Sequence, residues 1–120
     1  MSVRAIRAAT TIDVDTQDEL NDRVAHLLAA LMEANELVED DLISILFTAT
    51  DDIRSGFPAT AARRQGFTDV PLICARELAI EGATPMCVRL MIHVETDRSR
   101  SEISHVYQRG AKGLREDLTR

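Results

Sequence analysis

The sequence has few aromatic residues: three phenylalanines, one tyrosine and no tryptophan among 120 residues. The chain also carries a formal net charge of −6, and its pI is near 5.0. Proteins that bind nucleic acid generally offer a basic surface to the phosphates, or aromatic rings on which bases stack. This composition therefore argues against nucleic acid as a partner.

Long apolar segments are missing too. No run approaches the roughly 20 residues that a membrane-spanning helix needs. Arg4 and Arg7 interrupt the N-terminal segment where a signal peptide would have a continuous apolar core. We therefore expect a cytoplasmic chain without a membrane partner, in which Cys74 and Cys87 stay reduced.

Motifs for metal, nucleotide or nucleophile chemistry are also missing. The three histidines, His26, His93 and His105, have no i, i+4 partner and no cysteine pair nearby, so they do not match a zinc site. No Walker loop, G-x-G-x-x-G or G-x-S-x-G occurs in the sequence. We expect no metal and no cofactor.

The hydrophobic pattern predicts one domain over residues 1–120. Thr16 and Glu19 match a capping box, and apolar residues at helical spacing follow, which predicts a long helix over about 16–35. Apolar, β-branched segments predict five strands, the last one short, at 3–11, 42–50, 70–80, 86–96 and 103–107. The loop after the second strand contains TAARRQ, which can form a short helix. The predicted fold is α+β: a mixed sheet of about five strands with one long helix packed on one face.

Three predicted strands each carry a charged residue among small or apolar neighbours: Arg7, Glu77 and Arg89. A guanidinium removed from water needs an anionic partner. If the three side chains converge, two positive charges face one negative charge, and a small carboxylate-bearing molecule would supply the missing anion. An ordinary polar outer face or an internal ion pair is the alternative.

Five segments, in matching order and spacing, resemble the AroH class of chorismate mutases. They are RAIRAATT at 4–11, LFTATDDIRSGFPATAAR at 46–63, VPLICARELAIEG at 70–82, CVRLMIHVET at 87–96 and HVYQRGAKGLREDL at 105–118. The resemblance implies a homotrimer, assembled as a pseudo-barrel, with three sites at the subunit interfaces. It also implies the Claisen rearrangement of chorismate to prephenate, on the route to phenylalanine and tyrosine, without a cofactor.

The resemblance also implies roles for single residues. Arg89 would face the ether oxygen of the bond that breaks, and Glu77 would accept a hydrogen bond from the ring hydroxyl. Arg7 and Tyr107 would hold a substrate carboxylate, and Cys74 would lie beside the hydroxyl.

Further implied contacts come from the loop and the tail. Phe57 and Ala59 would form pocket wall, Arg63 and Arg115 would draw in the dianion, and Leu114 would line the mouth. For Phe57 and Leu114 the alternative is a place in the core. For the two arginines it is a solvated surface position.

The sequence departs from the family pattern at several positions. Ala5 and Ala8 stand where glycines are expected, so neither position should need a positive φ. Thr60, a substrate-binding candidate, stands where some members have lysine, and Glu116 replaces a proline. We expect a mobile tail over 114–120.

Strict alternation in ICAREL puts Cys74 and Glu77 on opposite faces of the predicted strand, although the resemblance places both in the site. A bend, bulge or strand end near residues 75–77 would reconcile the two.

Two other functions use the same residues. Enamine and imine deaminases of the RidA group are similar trimers with a carboxylate-binding arginine, but the CARE, CVRLM and HVY segments align with the mutases. A non-catalytic trimer that binds small carboxylates would need the arginines and would tolerate loss of Glu77.

Overall fold

Five strands form a single mixed sheet in the computed structural model, which describes residues 1–114. The strands are β1 (Ser2–Thr11), β2 (Leu42–Ala49), β3 (Leu72–Arg76), β4 (Cys87–Thr96) and β5 (Val106–Tyr107). Their order across the sheet is β3-β2-β4-β1-β5. β4 is antiparallel to both β1 and β2, whereas β3 runs parallel to β2 and β5 runs parallel to β1. The predicted α+β class is confirmed.

The long helix α1 covers Gln17–Ala34, close to its predicted bounds. Thr16 caps it, since its Oγ1 accepts a hydrogen bond from the Glu19 N–H at 3.2 Å. The Glu19 carboxylate accepts from the Asp13 and Val14 N–H groups, so it holds the β1–α1 connection and only half of the predicted capping box forms. These backbone hydrogen bonds, first from Val14 and then from Asp13, lower the pKa of the Glu19 carboxyl.

The core lies between α1 and one face of the sheet. The buried stripe of the helix consists of Leu20, Val24, Leu27, Leu28 and Leu31. It packs on alternate residues of the central strands, including Ile6, Ile45, Phe47, Val88 and Ile92. The period-two alternation predicted for β4 is confirmed from Val88 to Val94, where the even-numbered residues are buried and Arg89, Met91 and His93 are only half-buried.

A second helix, α2 (Pro58–Arg64), joins α1 on the same side of the sheet. The short helix expected in TAARRQ is confirmed, although it begins earlier, at Pro58, and one long helix alone does not form the helical layer. Pro58 suits the first helical position, where its fixed φ fits and no N–H is required. Ala59, Ala61 and Ala62 are buried, and their small side chains let the short helix approach α1 closely.

β3 is shorter than the predicted 70–80 because its neighbour β2 ends at Ala49. Past Arg76, the Glu77 N–H still donates to the Ala49 carbonyl at 3.0 Å, and the ladder stops there. Leu78 and Ile80 follow outside the strand and are largely exposed. Ala5 and Ala8 lie in β1 without a positive φ, as expected.

No α-helix of the described chain covers the sheet face opposite α1, which we call the open face. Among residues 1–114, every helix falls short of the length and apolar character that crossing a bilayer requires.

Replacing Leu27 by alanine should lower the free energy of unfolding by about 2–5 kcal/mol, because the side chain is 0% exposed and its loss leaves a cavity. Val38→Ala is the control, since Val38 is 64% exposed and its truncation should change stability by less than about 0.5 kcal/mol. Urea unfolding followed by circular dichroism measures both. Equal stability losses would contradict the assignment of α1 to the core.

Candidate active site

A cleft of about 180 Å³ opens on the open face of the sheet. Its lining residues come from all the strands, or directly follow one: Arg7, Ala8, Leu46, Thr48, Glu77, Arg89, Leu90, Met91 and Tyr107. Strand register explains the convergence. Thr48 pairs with Arg89, Arg89 pairs with Ala9 on its other side, and Ala9 pairs with Tyr107, so these residues form one row across the sheet.

Arg89 is the residue at the centre of this row. Its side chain is 32% exposed, and its Nε lies 3.6 Å from Glu77 Oε2. That distance suits an ion pair but is too long for a hydrogen bond. The Nε atom itself is buried, and no hydrogen-bond acceptor within residues 1–114 contacts it. Because a buried donor without a partner is costly, the guanidinium needs a further acceptor in the cleft.

Glu77 is held from two directions. Its backbone N–H donates to Ala49, and Thr48 Oγ1 donates to its Oε2 at 2.5 Å. The carboxylate is thereby fixed beside Arg89 instead of swinging freely at the end of β3. Sequence reasoning missed Thr48: alternation along β2 puts it on one face with Leu46, but only the pairing of β2 with β4 brings it to Arg89.

Arg7 and Tyr107 complete the polar part of the cleft. Within residues 1–114, the Arg7 guanidinium makes no ion pair, so Arg7 and Arg89 face the single carboxylate of Glu77. Arg7, Glu77 and Arg89 line one cleft, which is the convergence that the sequence pattern left open. An excess positive charge in a half-buried cleft favours an anionic ligand, and guanidinium groups bind carboxylates bidentately.

The other predicted contacts lie elsewhere in the chain. Phe57 and Cys74 line a second cleft of about 550 Å³, between β3 and the loop that precedes α2. Ala59 is buried in the core, Thr60 is half-buried and Arg63 is exposed, all three in α2. Within one chain, none of these five residues lines the Arg89 cleft.

Of the bend, bulge or strand end expected near residues 75–77, the structure shows the strand end, because β3 stops at Arg76. β2 and β3 pair in continuous register from Ile45 and Leu72 to Ala49 and Arg76. Cys74 therefore packs toward the core, and Glu77 lies on the open face.

Of the two tail residues predicted to contact the substrate, the structure describes Leu114 but not Arg115. Leu114 packs beside Tyr107 on a small cluster of Ala9, Cys87 and Ala111, next to the Arg89 cleft. Arg115 lies outside the described residues, as does Glu116. Among residues 1–114, no three histidine, cysteine, aspartate or glutamate side chains come close enough to hold a metal ion.

Comparison with known proteins identifies relatives over nearly the whole chain. The family model described as chorismate mutase type I matches residues 3–118. Chorismate mutase AroH of Thermus thermophilus is 39% identical over 117 residues, which cover 97% of this chain and 96% of the relative. Chorismate mutase AroH of Bacillus subtilis strain 168 is 37% identical over 120 residues, covering 99% and 94%. A solved chorismate mutase from Clostridium thermocellum is 46% identical with a TM-score of 0.91, covering 92% of this chain and 99% of that one.

The two thiols should differ in reactivity. Cys87 is 2% exposed, and burial raises the pKa of its thiol, whereas Cys74 is half-buried beside the second cleft. Because the thiolate is the reactive form, iodoacetamide near pH 8 should alkylate Cys74 first and Cys87 only after denaturation. Peptide mass spectrometry after timed labelling distinguishes the two positions. Faster labelling of Cys87 in the native protein would contradict the packing of Ala9, Ala111 and Tyr107 over it.

Proposed function

The chain belongs to the chorismate mutase type I family, and from this membership we propose that the Arg89 cleft is where chorismate rearranges to prephenate. The enzyme is an isomerase of aromatic amino acid biosynthesis. During the reaction one carbon–oxygen bond of the substrate breaks while one carbon–carbon bond forms within the same molecule. No proton transfer and no nucleophile is needed, so a cleft of arginines, one glutamate and one tyrosine is chemically sufficient.

The observation that carries the proposal is the buried Nε of Arg89, which has no hydrogen-bond partner among residues 1–114, in a cleft with excess positive charge. As the ether bond loosens, negative charge builds on its oxygen. A donor already fixed in place stabilises that charge more strongly in the transition state than in the ground state. One such donor is typically worth about 3–4 kcal/mol of barrier height.

The remaining cleft residues each contact a different part of the substrate. Arg7 and Tyr107 bind a carboxylate and thereby hold the substrate in its compact reactive conformer. Glu77 accepts a hydrogen bond from the ring hydroxyl and faces the ring, where positive charge develops. Thr48 keeps that carboxylate in place through its 2.5 Å hydrogen bond.

The second cleft supports the proposal of shared sites in a homotrimer. Cys74, Phe57 and Arg63 of one subunit would complete the Arg89 cleft of the next, with Ala59, Thr60, Leu114 and Arg115 forming the surrounding wall and mouth. A head-to-tail contact of this kind closes into a ring when the rotation between subunits fits. The three sheets would then form the proposed pseudo-barrel.

Exposed apolar side chains also favour such an assembly. Phe57, Ile73, Leu78 and Ile80 are each more than half exposed in the single chain. Ile73 lies in β3, Leu78 and Ile80 follow it, and Phe57 lines the second cleft. Exposed apolar patches of this kind mark surfaces that contact other proteins.

Arg89→Ala should lower kcat/KM for chorismate by at least two to three orders of magnitude, because it removes the cation at the ether oxygen. The loss of chorismate's ultraviolet absorbance measures turnover, and identification of prephenate confirms the product. Arg100→Ala is the control, since Arg100 is exposed and outside the cleft. A folded Arg89→Ala protein of unchanged oligomeric mass that keeps wild-type activity would contradict the assignment.

Mixing two inactive variants tests the shared sites. Arg89→Ala and Arg63→Ala should each be impaired, and co-refolding equal amounts should restore about a quarter of the sites by random assortment, since each site takes one residue from each neighbour. The measurement is kcat/KM of the mixture against the unmixed variants. Activity no higher than the average of the two variants would show that each site is built within one subunit.

A further inference from the structure

One wall of the Arg89 cleft is formed by β5, a strand so short that its backbone pairing alone holds it weakly. β5 has two residues and pairs with β1 only at Ala8 and Ala9. A backbone hydrogen bond from Gln108 N–H to the Ala9 carbonyl, at 2.9 Å, continues this contact. Yet β5 carries Tyr107 and sets its distance from Arg7 across the cleft.

Side chains supply the hydrogen bonds that a longer strand would supply from its backbone. Asn35 lies at the end of α1 and is 1% exposed. It bonds both backbone polar groups of Ser104, and its Nδ2 donates to the Ser104 carbonyl at 2.9 Å. Its Oδ1 accepts the Ser104 N–H at 2.8 Å, and its Nδ2 also donates to the Leu31 carbonyl. The backbone just before β5 is therefore tied to the helix.

The segment after β5 is tied in the same manner. Thr11 Oγ1 accepts the Gly110 N–H at 3.0 Å. A Cβ at residue 110 would lie 2.9 Å from that Oγ1, so glycine permits the close approach. Both ends of the segment from 104 to 110 are thus fixed by side chains of other elements.

The contact that reaches the cleft directly is made by His105. Its Nδ1 accepts the backbone N–H of Arg7 at 3.0 Å. A backbone N–H can only donate, so Nδ1 must carry the lone pair, and the ring proton of the neutral imidazole lies on Nε2. On its other side β1 is held by the β4 ladder, where Arg7 pairs with Met91.

We propose that His105 is a positioning residue for the active site, which sets the spacing of Arg7 and Tyr107 by accepting the Arg7 N–H. This inference rests on the proposed function of the cleft. His105 lies two residues before Tyr107 on the same segment, so its hydrogen bond adds a side-chain link at Arg7 to the short pairing of β1 with β5. The link couples the backbone position of Arg7 to that of the segment that carries Tyr107.

The chain offers a matched pair of substitutions. In His105→Asn the amide oxygen can occupy the place of Nδ1, whereas in His105→Gln the longer side chain puts its oxygen near the place of Nε2. His105→Ala removes the acceptor. We expect His105→Ala and His105→Gln to raise KM for chorismate about tenfold with a smaller change in kcat, because the carboxylate contact is made in ground and transition state alike. His105→Asn should stay within about threefold of wild type.

Amide hydrogen exchange at Arg7, followed by NMR, gives a readout that needs no turnover. The Arg7 amide should exchange faster in His105→Ala and His105→Gln than in wild type and His105→Asn. Unchanged exchange in His105→Ala, or equal impairment of the asparagine and glutamine variants, would overturn the proposal. If the wild type leaves chorismate untouched, the proposed function fails, and exchange at Arg7 alone decides whether His105 holds that amide.

Discussion

The structure is organised around a half-buried guanidinium in the middle of a sheet. Arg89 lies on β4, the central strand, opposite a single fixed carboxylate, and its buried Nε has no hydrogen-bond partner within the described chain. A charge in such a place must be neutralised, and Glu77 does so only in part. The surplus positive charge, shared with Arg7, makes the cleft a site for an anion before any substrate is considered.

The rest of the fold supplies what this arrangement requires. Packing α1 and α2 on one face of the sheet leaves the other face available for polar side chains. The order β3-β2-β4-β1-β5 then places Glu77, Thr48, Arg89 and Tyr107 next to one another although they are distant in sequence. Since the proposed reaction needs charge and shape but no proton transfer, rigidity is the property that matters. The hydrogen bonds of Thr48, Asn35 and His105 provide it at the edges of the cleft.

Local patterns in the sequence were enough to predict much of the fold. The helical spacing of leucines located α1, and period-two alternation placed Arg89 on the face opposite the core. The same approach could not give strand order or register, because those depend on contacts between distant segments. For this reason the sequence did not identify Thr48 as a cleft residue or His105 as a hydrogen-bond partner of Arg7. The predicted β3 was too long for the same reason.

The roles of single residues came from the resemblance to a known family, not from periodicity. Alternation correctly put Cys74 and Glu77 on opposite faces, since β2 and β3 pair in continuous register until β3 ends at Arg76. The separation of Cys74 from Glu77 is explained if Cys74 lines the cleft of a neighbouring subunit, as proposed. Patterns within one chain's sequence cannot reveal such an arrangement, because the residues that complete the proposed shared site would belong to another copy.

The central claim is that Arg89 acts on the ether oxygen, and replacing that atom in an inhibitor tests it most directly. A stable bicyclic dicarboxylate ether that mimics the compact transition state is compared with the same molecule carrying CH₂ in place of the ether oxygen. A hydrogen bond from a charged donor should make the ether bind about ten- to a hundredfold more tightly, measured as competitive inhibition constants against chorismate. Equal inhibition by the two compounds would contradict the account.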